Sequence, residues 1–167
     1  LFGSDVSTRI FRDPQEKFFD DFQLGDVVVT RGRTIDNSAI GNFAELTGDY
    51  YPLHIDEEFA KGTRFGTRIA HGPFTFTIAV GLVGLSGFYG DAITALLEIK
   101  SLRATKPVTA GDTLNVHAEV IDLTPGDNPK YGTIGVNYSV RNQRDEEVMV
   151  FQQFMLAKRR PRETANG

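Results

Sequence analysis

Cysteine is absent from all 167 residues. That removes disulfides, thiolate nucleophiles and cysteine-ligated zinc in one step, and it fits a reducing compartment. A basic excess is missing too: 18 Lys and Arg face 22 Asp and Glu, for a formal net charge of −4. No basic stripe interleaved with aromatics occurs, which argues against broad nucleic-acid binding. The one dense basic run, Lys158 to Arg162, sits beside the C-terminus and reads as a solvated tail. No apolar run reaches the roughly 18 residues needed to span a bilayer; the stretch Ile78 to Phe88 is too short and too glycine-rich. The N-terminus lacks a leader pattern of basic, then apolar, then small residues, and a cytoplasmic protein is expected. Neither G-x-G-x-x-G nor G-x-S-x-G is present, so a dinucleotide fingerprint and a serine nucleophile elbow both drop out.

What is present suits one domain: hydrophobic residues make up 40% and charged residues 24% of a chain of ordinary domain length. Residues 1–20 are polar and mixed and read as an irregular arm, 21–158 as the folded domain, and 159–167 as a basic, disordered tail. Leu24 to Gly32 is β-branched and predicts a first strand. Asp36, Asn37 and Ser38 offer N-caps, Ile40, Phe43, Ala44 and Leu46 recur at helical spacing, and Gly48 falls where a helix ends. A further turn of helix is opened by Asp56 and stopped at Gly62. From Pro73 to about Gly87 the chain is apolar on nearly every side, which predicts a helix buried all round, with Gly81, Gly84, Gly87 and Gly90 expected to pack it closely on a sheet. Strand patterns follow, with Leu114, Val116, Ala118 and Val120 alternating, then Ile134, Val136, Tyr138 and Val140, then a nearly continuous apolar run to Lys158. One all-apolar helix needs a sheet to wrap it, so the expected fold is α+β of the hot-dog kind, a curved antiparallel sheet around a central helix. Uncovered sheet edges predict a homodimer or higher homo-oligomer.

The candidate chemistry lies in Thr47 to Ala60, TGDYYPLHIDEEFA. Asp49 precedes His54 by five residues, a spacing that a regular helix would splay by about 140°. Pro52 argues against a regular helix there, so only a bent loop could bring the two together. A neutral imidazole beside a carboxylate can take a proton from water. His71 stands just before the long helix and reads either as a residue tying down a neighbouring loop or as one with a direct catalytic part, and it is a candidate substrate contact; His117 falls on the polar face of a strand. Scattered histidines and carboxylates make a poor zinc set, and no metal is expected. The helix beginning near Gly72 offers a free N–H and a partial positive charge, enough to hold a carbonyl oxygen.

LTGDYYPLH followed by IAHGPFTF resembles the MaoC-like dehydratases, the hydratase 2 family of (R)-specific enoyl-CoA hydratases. Gly48, Asp49, Pro52, Leu53, His54 and Ala60 stand in register with that motif, and Ala70 to Gly72 and Lys106 to Leu114 follow the same habit over about residues 20 to 158. The resemblance implies a hot-dog fold acting in acyl-CoA metabolism on a CoA or carrier-protein thioester, usually as a dimer, with no cofactor beyond the coenzyme A of the substrate. Asp49 and His54 would be the acid–base pair, and the Gly72 N–H would hold the thioester oxygen. Arg64, Arg68 and Lys106 are candidate contacts for the CoA phosphates. The motif's Asn is Tyr51 here, so Tyr51 becomes a candidate substrate contact that narrows the acyl pocket or favours a polar or aromatic acyl group. Two alternatives share the scaffold: a subunit that binds acyl-CoA without chemistry, and a thioester hydrolase.

Overall fold

The computed structural model describes residues 9–161. A short 3₁₀ turn, Phe19–Asp21, leads into β1 (Val27–Val29) and β2 (Arg33–Thr34); then come α1 (Asn37–Thr47), α2 (Pro52–Ile55), α3 (Glu57–Lys61) and α4 (Gly72–Leu85). Four long strands complete the chain: β3 (Ile93–Ala104), β4 (Thr113–Pro125), β5 (Tyr131–Arg141) and β6 (Glu147–Lys158). With β1 they form an antiparallel sheet in the order β1-β4-β5-β6-β3, and β2 pairs with β4. The first strand is shorter than Leu24 to Gly32: a turn closed by Asp26 on the Gln23 N–H precedes it, and Thr30 ends it. Its hydroxyl oxygen accepts the Val116 N–H at 2.9 Å, taking the place of a backbone carbonyl in the ladder.

The alternation read from the sequence holds through the middle of the sheet. Leu114, Val116, Ala118 and Val120 of β4 and Ile134, Val136, Tyr138 and Val140 of β5 are all buried. Phe74, Ala79, Leu82 and Val83 of α4 share one core with them, alongside Phe151 and Met155 of β6. A sheet curved on one central helix is the hot-dog arrangement. The Tyr89 and Tyr138 hydroxyls lie 2.6 Å apart inside this core.

Two expectations about α4 fail. The helix is not buried all round: Gly72, Pro73, Thr77, Gly81, Gly84 and Leu85 are exposed along one face. Gly81 and Gly84 do not press against the sheet either, since a Cβ at either would meet nothing within 4 Å. Apolar character on every side records a tendency to be covered, and a single chain covers only one side of this helix.

The arm and the tail bind each other. Phe18, Phe19 and Phe22 are buried, and the Phe19 ring lies flat enough on β5 that a Cβ at Gly132 would come within 2.5 Å of it. Arg159 donates to Asp20 at 3.0 Å and Arg160 to Asp21 at 2.7 Å. The basic run expected to be solvated is therefore paired as far as Arg160; residues 162–167 and 1–8 lie outside the described part.

Candidate active site

Short-range rules place Asp49. The Asp36 carboxylate caps α1 by accepting the Ala39 N–H at 2.7 Å. Gly48 ends the helix at φ +75°, the left-handed conformation that glycine adopts without a Cβ clash, and donates its N–H to Ala44 O at 2.8 Å. The chain turns sharply, and the Asp49 Oδ1 accepts the Tyr51 N–H at 3.2 Å, stiffening the turn. Here the sequence expectation needs a correction. Pro52 does not hold the chain in a loop; it starts α2, where its missing N–H has no intrahelical partner to lose. His54 therefore rides on a single helical turn, and the bend that brings it back to Asp49 lies wholly in residues 48–51.

Two carbonyls fix the rings. His54 Nδ1 lies 2.7 Å from Ile69 O. A carbonyl can only accept, so Nδ1 carries the proton and Nε2 of the neutral ring presents a free lone pair. His71 Nε2 donates to Asp49 O at 2.9 Å, leaving His71 Nδ1 as a buried acceptor without a partner among the described residues. The two imidazoles stack, with centroids 3.9 Å apart and planes 29° from parallel, and Phe43 of α1 closes on His71 at 5.1 Å. His71 is 1% exposed. It touches the catalytic candidates rather than the solvent, which favours the loop-tying alternative of the two sequence readings.

Asp49, His54 and His71 each bring a possible metal ligand atom within 4.8 Å of the others. Each histidine holds one nitrogen against a carbonyl, so His54 Nε2, His71 Nδ1 and the Asp49 carboxylate are the atoms left to face a ligand.

Gly72 opens α4, and no acceptor for its N–H is found among the described residues. Beside it lies a cavity of about 200 Å³ with an apolar wall of Ile69, Ala70, Val108, Val148 and Met149. Arg64 and Lys106 both reach this cavity. The Arg64 guanidinium lies over the Phe65 ring at 4.8 Å, and Lys106 donates to Glu146. Arg68 turns elsewhere and pairs with Glu57 at 2.9 Å. Tyr51 is 57% exposed, packs edge-on against Phe59 and does not line the cavity. Sequence reasoning missed the Ile69 carbonyl, Thr75 and the walls from β3 and β6. The walls from β3 and β6 are distant in sequence and left no local pattern, whereas Ile69 and Thr75 lie three residues either side of Gly72, and Thr75 could have been found by helix spacing.

One helix in a curved antiparallel sheet defines a hot-dog fold, and close to the N-terminus of its helix lie a carboxylate and an imidazole whose Nδ1 faces a carbonyl. Residues 21–142 match the model of the MaoC like domain, and the chain belongs to that family. It is 36% identical over 108 residues to a 3-hydroxybutyryl-CoA dehydratase of Methylorubrum extorquens, covering 65% of this chain and 66% of that one, just under two thirds of the relative's length. It is 33% identical over 108 residues to an (R)-specific enoyl-CoA hydratase of Rhodospirillum rubrum, 65% of this chain and 72% of that one. The crystal structure of a MaoC-like dehydratase from Rhodospirillum rubrum superposes with a TM-score of 0.76 at 28% identity, over 88% of this chain and 100% of the other. No helix among the described residues is long and apolar enough to cross a membrane.

Proposed function

We propose that the protein is a hydro-lyase that adds water reversibly to a trans-2-enoyl-CoA, or to the matching carrier thioester, giving the (R)-3-hydroxyacyl thioester. The observation that carries this is the free Nε2 of His54, held by the Ile69 carbonyl beside an Asp49 that His71 anchors. His54 Nε2 takes a proton from a water that the Asp49 carboxylate orients. The water oxygen bonds to C3, the C2=C3 pair shifts toward the thioester, and the charge gathers on its oxygen at the Gly72 N–H. His54 then returns the proton to C2, so a hydroxyl and a hydrogen have added and nothing is oxidised or reduced. The thioester itself acidifies C2, so the reaction uses no metal and no cofactor besides the substrate's coenzyme A. One donor at the oxygen is worth about 3 kcal/mol. Arg64 and Lys106 at the cavity meet the phosphates of the CoA arm.

The homodimer belongs to the same reading. β3 is an edge strand whose Leu96, Leu97 and Leu102 are exposed, and the open face of α4 also needs a cover. A second copy would cover both, and light scattering is then expected to give a mass of twice 18.5 kDa.

The direct experiment follows the loss of enoyl absorbance across short, long and branched 2-enoyl-CoAs. Turnover that falls by orders of magnitude in Asp49→Asn and His54→Gln, with folding intact, is expected. Wild-type protein inert toward the whole panel would sink the proposal, and release of free CoA thiol would mark a hydrolase instead.

A further inference from the structure

Thr75 stands three residues beyond Gly72 on α4 and is 3% exposed. A helical threonine ordinarily bonds its hydroxyl to a carbonyl one turn back. Thr77 does this, donating to Phe74 O at 2.9 Å. Thr75 does not. The carbonyl behind it, His71 O, takes the Thr75 backbone N–H at 3.2 Å, and no partner for Thr75 Oγ1 is found among the described residues. Nor is that oxygen sealed in: the sealed, unpartnered side-chain atoms of the described residues are His71 Nδ1, Asn115 Oδ1 and Gln153 Oε1. Thr75 lines the same 200 Å³ cavity as Gly72, so an unpartnered, unsealed hydroxyl sits on a side chain at the cavity wall.

The direction of the side chain follows from helix geometry. Residues three apart share a face, and helical side chains lean toward the N-terminus, over the turn before their own Cα. The Thr75 hydroxyl thus leans toward the mouth of α4, where the Gly72 N–H is free. A backbone would normally offer a second donor there from the next residue, but that residue is Pro73, which has no N–H. An oxygen with charge developing on it has room for two donors, and the backbone gives it one of the first two.

We propose that the Thr75 hydroxyl is a second donor to the thioester oxygen, completing the oxyanion site that Gly72 begins. This rests on the hydratase reading above. A threonine that merely fills core space makes the opposite forecast, because valine has the same shape.

The experiment compares wild type with Thr75→Val, Thr75→Ala and Thr75→Ser, each checked by thermal melting. With crotonyl-CoA, loss of the hydroxyl should lower kcat about 10²-fold with little change in KM, since the donor acts on the charge of the transition state. Thr75→Ser should keep most of the rate. The second readout needs no turnover: binding of acetoacetyl-CoA, whose enolate carries charge on the thioester oxygen, followed by the enolate absorbance band. A band in wild type and Thr75→Ser that weakens in Thr75→Val and Thr75→Ala supports the proposal, even if no enoyl-CoA is hydrated and the hydratase reading falls. A folded Thr75→Val with wild-type kcat, a band equal in all four proteins, or no band in any of them overturns it.

Discussion

Replacing His71 by phenylalanine separates what the ring does by its shape from what it does by its nitrogens. The phenyl ring fills the same space, keeping the stack on His54 at 3.9 Å and the contact with Phe43 at 5.1 Å. Two polar changes oppose each other. The hydrogen bond from Nε2 to Asp49 O is lost, a net cost of about 0.5–1.5 kcal/mol. The buried Nδ1, which has no partner among the described residues, disappears as well, relieving a desolvation penalty of about 1–3 kcal/mol. Stability should therefore lie between a loss of about 0.5 and a gain of about 2.5 kcal/mol, and the variant should fold. Turnover should not survive so well. The Asp49 carbonyl loses its tether, and a displacement of about 1 Å in a reacting group can cost about 10²-fold. Crotonyl-CoA hydration beside a thermal melt gives both quantities on one sample, with His71→Gln, which keeps a donor, recovering part of the rate. A folded His71→Phe that hydrates at the wild-type rate would refute the claim that this hydrogen bond holds Asp49 in place.

Burial pushes the Tyr138 phenol up to about 12 and raises Tyr89 as well. An acid held neutral in the folded state contributes stability below its unfolded pKa, and that contribution is lost as pH rises from about 10 through 12; Tyr138→Phe should flatten this alkaline loss in denaturant titrations. The same variant leaves the Tyr89 hydroxyl buried and alone, costing about 1–3 kcal/mol, and the double variant with Tyr89→Phe should cost less than the sum of the singles. Gly48→Ala forces a Cβ into a left-handed conformation at φ +75° and should destabilise by about 1–2 kcal/mol by chemical denaturation. Hydrogen bonds from Asn142, Lys106 and Arg144 hold the Glu146 carboxyl down at about 2, so its contribution is present above the ordinary glutamate pKa and lost as pH falls toward 2. Glu146→Gln should remove that acid-sensitive part and, by freeing Lys106, tighten CoA binding in calorimetry.

Elements whose causes are local were legible in the chain alone. Asp36 and Gly48 bound α1 because a cap and a left-handed stop act within a few residues. The alternation in β4 and β5 marked their buried faces, because a strand's two sides differ by single positions. The motif around Asp49 and His54 pointed to the chemistry. Tertiary structure decided what depends on partners far along the chain. Pro52 read as a helix breaker and proved to be a helix start. The glycines of α4 read as sheet contacts and faced outward, since an all-apolar helix carries no mark of which side a single chain covers. The proton on His54 was settled by a carbonyl fifteen residues on, and Asp49 by an imidazole twenty-two residues on. A side chain can announce that it can hold a proton; only a neighbour brought in by folding fixes which nitrogen holds it.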